Sequence, residues 1–366
     1  MKRCTFISLT LAVLWPCWGI AQSRTNILDP LEDPRGKPEL TICSQNLNNY
    51  GLMNDVRGRL PGFSESDLAR KEQALISRFV SQGCDVIALQ ELLTKNEEGG
   101  SAALARLAGL LRRSTNRIFD YRAGSSHDPL SRVGFLVAAD RASILNVVSF
   151  DNVELPKLSD KQKPRDFSRG PLELQLGVKG RDGSSSKTVT LINLHFKSKR
   201  GAKDDPTQLE WETWRMEMAE AVRRLYETRH ARALTRGDTI LVVLGDRNSN
   251  FDTASAQILE GALTLKNFKE QGPCRLSKRG VPLCQAGALR PQKLFSVLRL
   301  DPETRQQHGT FKLDDIYSWL DDILMPAESL RYAWMHYDRE GDFDSGVLYG
   351  ETVASDHAMV WTRLNW

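Results

Sequence analysis

The amino-acid sequence predicts an α/β fold in which mixed β-sheets and helices form a layered sandwich. Many short apolar runs of about four to eight residues are typical of buried strands, and longer segments show helical spacing of apolar residues. Strands and helices interleave without the regular βα alternation of a doubly wound sheet, which favours mixed sheets. The chain has 366 residues, 40% of them hydrophobic and 26% charged, an ordinary globular composition.

The first 21 residues have the pattern of a secretory signal peptide. Lys2 and Arg3 precede a short apolar run, FISLTLAVLWPCWGI, and small residues end at Ala21. A membrane-spanning helix would need about 20 uninterrupted apolar residues. We therefore expect a secreted or periplasmic protein without a stable membrane anchor. Removing Lys2 and Arg3 lowers the formal net charge from +4 to +2, too little by itself to indicate a polyanionic partner.

The rest of the chain divides into a surface lead-in over residues 22–38 and one domain over residues 39–366. Ser64 and Asp67 predict the start of a helix that Gly83 ends. Further helices are expected at about 101–113 and about 206–228, and a loop-rich region at about 265–312. The predicted strands, in chain order, are ELTICSQNLNN, CDVIALQE, VGFLVAA, ASILNVVSF, PLELQLGV, TVTLINLHF, LVVL, YSWLDDILM and HAMVWTRL.

Four cysteines remain after the signal peptide. Cys274 and Cys284 flank a loop that contains Gly and Pro, and in an exported protein they are expected to form a disulfide. Cys43 and Cys84 lie at or near the starts of apolar strands and are predicted to be buried small hydrophobic residues, not a bridge. A zinc site is disfavoured because no CxxC spacing occurs.

Polar side chains end five of the apolar runs. In the run LVVLGDRNSN, for example, a buried strand stops at a carboxylate and an amide. Each case alone could be a turn, a solvated strand end, a core histidine or a cap. Five such ends together favour a site, because α/β sheets carry their chemistry at strand ends. The residues are Asn46 and Asn48; Glu91; His195, Lys197 and Lys199, on one face while the chain stays extended; Asp246 and Asn248; and Asp356 and His357.

These residue types indicate one chemistry. Carboxylate and carboxamide oxygens suit Mg²⁺, and also Mn²⁺ or Ca²⁺. A histidine beside a carboxylate can act as a general base, while amides and lysines can hold phosphate oxygens. The set indicates metal-assisted attack of water on a phosphoryl centre. No serine or cysteine lies in a nucleophile elbow, and no phosphate-binding P-loop is present in the sequence.

With these motifs in this order, the sequence resembles the endonuclease/exonuclease/phosphatase superfamily from Leu40 to Leu364. That superfamily contains pancreatic-type deoxyribonuclease, apurinic endonucleases, secreted bacterial nucleases, neutral sphingomyelinases and inositol-polyphosphate phosphatases. The resembling segments are ICSQN, DVIALQE, FSRGPLEL, NLHFKSK, GDRNS, WLDDIL and SDH. Three features depart from the family pattern, one of which is that the Asp321 strand lacks the usual Tyr after the aspartate. Arg247 stands where an aromatic residue is usual, to contact phosphate or face solvent, and Asn48 stands where some members have a metal-binding aspartate.

The resemblance implies a four-layer α/β sandwich, two packed mixed β-sheets flanked by helices, and assigns roles to individual residues. Glu91 and Asn46 would hold one divalent cation, expected to be Mg²⁺. His357, oriented by Asp321 with Asp322 as the rival, would take the proton from water. Four residues would complete the catalytic set: Asp246 would position the water or assist its deprotonation, Asn248 and His195 would stabilise the phosphoryl oxygens, and Asp356 would support the metal shell.

The resemblance and local charge favour a nuclease that acts on DNA or RNA as a monomer. Arg169, Lys197 and Lys199 are the expected phosphate-binding residues, within two basic tracts that also contain Lys157, Lys161, Lys163, Arg165, Arg200 and Lys203. The alternative is a sphingomyelinase-like or small-molecule phosphodiesterase or phosphatase. Tyr332, Trp334 and Tyr337 would serve that alternative, but the tip of their segment is acidic. A non-catalytic binding module is disfavoured because every catalytic position is filled. DNA against RNA, endo- against exonuclease action, and the natural metal stay open.

Overall fold

The computed structural model describes residues 38–158, 163–181, 186–201, 208–264, 275–276, 282–283, 293–313, 316–333 and 343–366. Several expectations lie outside these residues. They are the signal peptide (1–21), the lead-in apart from Pro38, the Cys274–Cys284 disulfide, the basic residues Lys161 and Lys203, and the aromatic residues Trp334 and Tyr337.

The first sheet has six strands in the order β15-β16-β1-β2-β4-β3. Strand β1 pairs in parallel with β2, whereas the other neighbours are antiparallel, so the sheet is mixed. Its strands are β1 (Leu40–Tyr50), β2 (Val86–Leu93), β3 (Phe119–Ala123), β4 (Ser131–Ala138), β15 (Ser345–Leu348) and β16 (Met359–Leu364).

The second sheet also has six strands, in the order β11-β14-β8-β7-β6-β5. Strands β7 and β8 are parallel and the other pairs are antiparallel. Its strands are β5 (Ala142–Ser149), β6 (Leu172–Val178), β7 (Lys187–His195), β8 (Thr239–Asp246), β11 (Leu294–Ser296) and β14 (Asp321–Pro326). Two short hairpins complete the strands: β9 (Arg275–Leu276) with β10 (Pro282–Leu283), and β12 (Phe311–Leu313) with β13 (Ile316–Ser318).

Seven helices and one 3₁₀ helix are found among the described residues. Ser64 caps α2 through a capping box with Asp67, and Gly83 ends it in the left-handed conformation, as the sequence predicted. The long helix α4 begins and ends later than predicted. It ends at Gly237, which also has the left-handed conformation. The helices are α1 (Met53–Arg59), α2 (Glu65–Gln82), α3 (Glu97–Thr115), α4 (Glu212–Arg236), α5 (Ala254–Leu259), α6 (Val297–Leu300), α7 (Ala327–Leu330) and the 3₁₀ helix Thr304–Gln306.

Three apolar clusters show how the layers pack. One lies between the sheets and contains Val242 and Leu244 of β8. A second lies between the first sheet and helices α2 and α3. The third lies between the second sheet and helices α4 and α5, and contains Leu241 and Val243. The run from Leu241 to Leu244 is therefore buried on both faces, and the protein is a four-layer α/β sandwich, as predicted.

Cys43 and Cys84 are buried as predicted, but the prediction that they are not bridged was wrong, because they form a disulfide. Cys43 lies on β1 and faces helix α2, and Cys84 lies between the end of α2 and the neighbouring strand β2, two residues before that strand begins. Their Cα atoms are therefore 5.8 Å apart, within the range that a disulfide requires. Within the described part of the chain, no helix combines the length and apolar composition needed to cross a bilayer.

Candidate active site

Three of the predicted site residues lie side by side across one edge of the second sheet. The register pairs His195 of β7 with Asp246 of β8, and Asp246 with Asp321 of β14. Side chains at paired positions point to the same face of a sheet. The strand ends therefore place an imidazole and two carboxylates in one row.

The first sheet contributes residues that face this row. Asn46 of β1 donates through Nδ2 to Asp246 Oδ2 at 2.9 Å and to Glu91 Oε1 at 3.3 Å. Its Oδ1 accepts a hydrogen bond from the backbone N–H of Asn48. Asn46 thus joins the two sheets at the site and lies between two carboxylates.

Glu91 owes its position to an irregular stretch of backbone. Strand β2 shifts register around Glu91, and its φ is +59°, a left-handed conformation that glutamate rarely adopts. Asn48, Asn49 and Asn248 also have positive φ. The Glu91 side chain accepts a hydrogen bond from the backbone N–H of Asn49 at 3.0 Å and stays 25% exposed. Such strain clusters where backbone geometry serves a site.

Asp246 is the centre of the cluster. Its carboxylate accepts hydrogen bonds from Asn46 and from both the backbone and side chain of Asn248. Burial raises the pKa of Asp246 to about 7. The nearby imidazolium of His357 opposes this shift, and the Asp321 carboxylate adds to it. Asp246 is therefore a carboxylate that needs neighbouring positive charge to remain ionised near neutral pH.

His357 lies against Asp321, with Nδ1 2.7 Å from Asp321 Oδ2 and Nε2 4.0 Å from Asp246 Oδ2. The ring of Phe311 packs on the imidazole at 4.8 Å. Burial disfavours the imidazolium, but Asp321, Asp246 and Asp356 outweigh it and raise the pKa of His357 to about 10. The structure therefore places Asp321, and not Asp322, in position to orient this histidine.

His195 has the opposite electrostatic character. It is 1% exposed, and its Nε2 lies 3.6 Å from Asp246 Oδ2 and 3.8 Å from Glu91 Oε1. Burial, with the positive charges of Arg169 and His357, lowers its pKa well below the ordinary value. A neutral imidazole in this position can donate one hydrogen bond to an oxygen in the site.

Asn248 and Arg169 meet at one backbone oxygen. Asn248 Nδ2 donates to the carbonyl of Phe196 at 3.2 Å, and Arg169 donates to the same carbonyl at 2.7 Å. The guanidinium is buried, and burial lowers the pKa of Arg169. Among the described residues its Nε has no hydrogen-bond partner. Arg169 therefore lies directly behind the end of β7 with one buried donor unpaired.

Lys197 and Lys199 lie beyond the end of this strand. Strand β7 stops at His195, so the extended conformation that would place all three on one face does not continue. Lys197 packs between the rings of Trp211 and Trp214, with Nζ 5.0 and 5.5 Å from their centroids. Burial is the main reason why the pKa of each lysine is lowered. Both cations flank the row of site residues without contacting its carboxylates.

Arg247 was expected either to contact phosphate or to face solvent, and the structure shows neither. It is 1% exposed and binds Glu260 Oε1 at 3.1 Å and Asp322 Oδ2 at 3.0 Å. Arg299 also contacts both carboxylates, and Ser296 donates to Asp322. The pleat alternates, so Asp246 and Asp321 face the site while Arg247 and Asp322 form an ion network on the other side. Arg247 neither contacts solvent nor faces the site.

No family model matches the sequence, and no curated protein matches it. Solved structures do match. A protein of the endonuclease/exonuclease/phosphatase family from Bacteroides thetaiotaomicron aligns with a TM-score of 0.50 at 14% identity, over 89% of this chain and 97% of that one. This chain has the endonuclease/exonuclease/phosphatase fold. The catalytic domain of human Nocturnin, with a bound sulfate, matches with a TM-score of 0.50 at 12% identity, over 88% and 93% of the two chains. Identities this low establish the fold that the motifs predicted.

The sequence reasoning missed two buried cations of helix α2. Lys71 donates to the carbonyl of Asn48 at 3.1 Å, and burial, opposed by Asp356 and Glu91, lowers its pKa to about 8. Arg78 donates to the carbonyl of His357 at 3.0 Å. Both stand at helical spacing within the apolar stripe of α2, since Lys71 follows Leu68 by three residues and Arg78 follows Leu75 by three. A charged residue inside an apolar stripe is the signal that would have found them.

A divalent cation fits the residues present. Glu91 is a partly exposed carboxylate, and Asp246 brings further oxygens close to it, since Asn46 Nδ2 donates to both carboxylates. The Oδ1 of Asn46 would join them by a turn of its amide away from the Asn48 N–H. Asp246, Asp321 and His357 form a second arrangement, with ligand atoms all within 4.8 Å of one another. There, however, the hydrogen bond between His357 and Asp321 already uses two of the three groups. We therefore take Glu91 as the principal ligand.

Proposed function

We propose that this protein is a divalent-cation-dependent phosphodiesterase whose substrate is nucleic acid. The observation that carries the proposal is the position of Asp246 between two imidazoles of opposite character, His357 paired with Asp321 and His195 held neutral. Two histidines tuned in opposite directions around one carboxylate are typical of a site that moves a proton while it stabilises negative charge.

The proposed mechanism is attack of water on phosphorus. His357 Nε2 takes the proton from the water when the ring is neutral, which at neutral pH is the minor form because its pKa is raised to about 10, and Asp321 stabilises the imidazolium that forms. Asp246, close to Nε2, orients the water. His195 donates a hydrogen bond to a phosphoryl oxygen, on which negative charge grows in the transition state. Asn248 would do the same by turning one Nδ2 hydrogen away from Asp246 or from the Phe196 carbonyl. When bound at Glu91 and Asn46, a cation such as Mg²⁺, or Mn²⁺ or Ca²⁺, would offset this charge and that of the carboxylates beside His357.

Phosphodiesters of nucleic acid are favoured as substrates by the cations around the site. Arg169 lies behind the end of β7, and Lys197 and Lys199 follow it along the chain. These three cations could bind the phosphates on either side of the scissile one, and such contacts weaken as salt concentration rises.

The test compares substrates under matched conditions. Purified protein is incubated with plasmid DNA, RNA, a nitrophenyl phosphodiester and sphingomyelin vesicles, with Mg²⁺ and with chelator. We expect Mg²⁺-dependent cleavage of polymer, lost in Glu91→Ala and His357→Ala while circular dichroism stays unchanged. Vesicle hydrolysis without polymer cleavage would overturn the nuclease assignment. Full activity in chelator would overturn the metal mechanism.

One observation favours a second substrate, a membrane phospholipid. The β12–β13 hairpin exposes Leu313 at 50% and Ile316 at 70%, and Phe311 at its base packs on His357. The sequence between those two apolar residues is Asp314-Asp315, which opposes insertion into an anionic bilayer. The vesicle arm of the experiment decides between the two substrates, and a nuclease should be unaffected by Ile316→Ser.

We further propose that the protein works as a monomer in the periplasm or outside the cell. The Cys43–Cys84 disulfide supports the location, because disulfides persist in oxidising compartments. Protein sequencing of the N-terminus after export would test cleavage after Ala21, and size-exclusion chromatography with light scattering would test the monomer.

A further inference from the structure

Two tryptophans and two cations interleave beside the candidate active site. Lys197 Nζ lies over the rings of Trp211 and Trp214, and the Arg165 guanidinium lies 5.5 Å from the Trp214 centroid. The two rings meet edge to face at 5.8 Å. We call Arg165, Lys197, Trp211 and Trp214 the tryptophan–lysine surface. Both tryptophans are partly exposed, so they offer ring surface to a ligand.

The surface is fixed to the catalytic strand by a buried arginine. Arg215 is fully buried and donates to the carbonyls of Lys197 and Ser198, each at 3.2 Å. It is itself held by Glu212 at 2.9 Å. Lys197 follows directly after Phe196, whose carbonyl accepts from Arg169 and Asn248. The surface therefore begins one residue beyond the groups that would hold the scissile phosphate.

We propose that the tryptophan–lysine surface binds the nucleotide next to the scissile bond of single-stranded nucleic acid, with its base on Trp211 and its phosphate on Lys197 and Arg165. The proposal rests on the function proposed above. Every nucleobase has a face that can stack on an aromatic ring, and a cation beside the ring meets the adjoining phosphate. Trp214 has two cations over its ring, whereas among the described residues Trp211 has one. Trp211 therefore has more ring surface for a base.

The arrangement favours a single strand over a duplex and over a lipid. A base in a duplex must be unpaired and unstacked before it can stack on Trp211, and this costs free energy. A base in a single strand is already unpaired, so the cost is smaller. A lipid-binding surface would need contiguous apolar side chains, but here cations lie against both rings. Lys163 and Arg200, which are close in the chain to Arg165 and Lys197, are exposed cations. Alternating rings and cations match a strand in which bases and phosphates alternate.

Binding without turnover tests the proposal directly. Fluorescence anisotropy in chelator measures the dissociation constant of a short labelled oligothymidylate and of an abasic oligomer of equal length. We expect Trp211→Leu to weaken oligothymidylate binding by about 5- to 100-fold and abasic binding by less than about twofold. Lys197→Met should weaken both oligomers alike and reduce the salt dependence. Trp361→Leu is the matched control, because Trp361 lies on β16 with Arg363 over its ring, and it should change neither.

Hydrolysis separates this proposal from the one on which it rests. If neither polymer nor nitrophenyl ester is cleaved, the proposed function fails, yet the anisotropy experiment still decides whether Trp211 binds bases. If both are cleaved, Trp211→Leu should raise the KM for single-stranded substrate and leave nitrophenyl ester turnover unchanged. Equal losses with oligothymidylate and the abasic oligomer, or no loss with either, would overturn base stacking. Trp211→Phe, which keeps an aromatic ring, should retain most of the discrimination against the abasic strand. If it does not, the stacking role is refuted.

Discussion

Replacing Arg247 by methionine should destabilise the protein severely, although the residue contacts nothing in the candidate site. The guanidinium binds Glu260 at 3.1 Å and Asp322 at 3.0 Å and is 1% exposed. Methionine fills a similar volume but leaves two buried carboxylates with less positive charge. The ion network also holds the residue between Asp246 and Asn248, so its loss disturbs the turn that carries both.

The magnitude follows from the contacts. A hydrogen bond to a charged group contributes about 1.5–3 kcal/mol, and Arg247 makes one, to Glu260, together with an ion pair to Asp322. Arg299 still contacts both carboxylates in the variant, which reduces the loss. Removing one partner of a buried ion pair typically costs about 3–5 kcal/mol, and we expect a value in that range. The Arg299 side chain is 26% exposed, so Arg299→Met, the matched control, should cost about 1 kcal/mol.

Urea unfolding followed by circular dichroism measures these losses, and its pH dependence tests their origin. Burial raises the pKa of Glu260, opposed by Arg247 and Arg299. Without Arg247 that pKa rises further, so the folded variant favours the protonated acid and loses stability as pH rises through it. The cost should therefore be larger at about pH 8 than at about pH 5. A loss below about 1 kcal/mol at the higher pH would refute the reasoning.

Three other changes have defined outcomes. Asp321→Asn should lower the pKa of His357, which NMR titration measures, and an unchanged titration would contradict the pairing. In the folded wild-type protein that pKa is raised from 6.5 to about 10, so the stability that His357 contributes is complete below about pH 6.5 and lost towards pH 10. Replacing Cys43 and Cys84 by alanine removes a disulfide between residues 41 positions apart and should lower the free energy of unfolding by about 4 kcal/mol, measured by thermal unfolding. Free thiols at these two positions in the exported protein would contradict the bond. Glu91→Gln should abolish Mn²⁺ binding in calorimetry without lowering the unfolding midpoint; retained affinity would exclude Glu91 as the principal ligand.

The sequence predicted the layers well because they depend on local patterns. Runs such as Leu241–Leu244 could be recognised as strands buried on both faces, and Ser64 and Gly83 gave the ends of α2. Motif order supplied the fold. The ends of α4 were less accurate, since its N-cap, Trp211, makes no side-chain capping hydrogen bond.

The features that could not be predicted from the sequence depend on contacts between residues that are distant in the chain. The disulfide requires that Cys43 and Cys84 come within reach across α2 and two strands, and their spacing of 41 residues gives no local sign of this. Arg247 was misjudged because its environment becomes clear only once β14 is known to pair with β8, which brings Asp322 within ion-pair distance of it. The choice between Asp321 and Asp322 needed the same information.

The two faces of the β8–β14 pair explain how the protein tolerates a destabilising site. On one face, Asp246 and Asp321 bring two buried carboxylates together, and burial makes the first of them weakly acidic. Such a cluster opposes folding, because like charges repel and lose hydration. On the other face, Arg247 joins Asp322 to neighbouring helices through an ion network in which each carboxylate meets arginine. The pairing of β8 with β14 that brings Asp246 and Asp321 together is thus the same pairing that the Arg247 ion network stabilises. Weakening the network should therefore reduce stability first and disturb the geometry at Asp246 second.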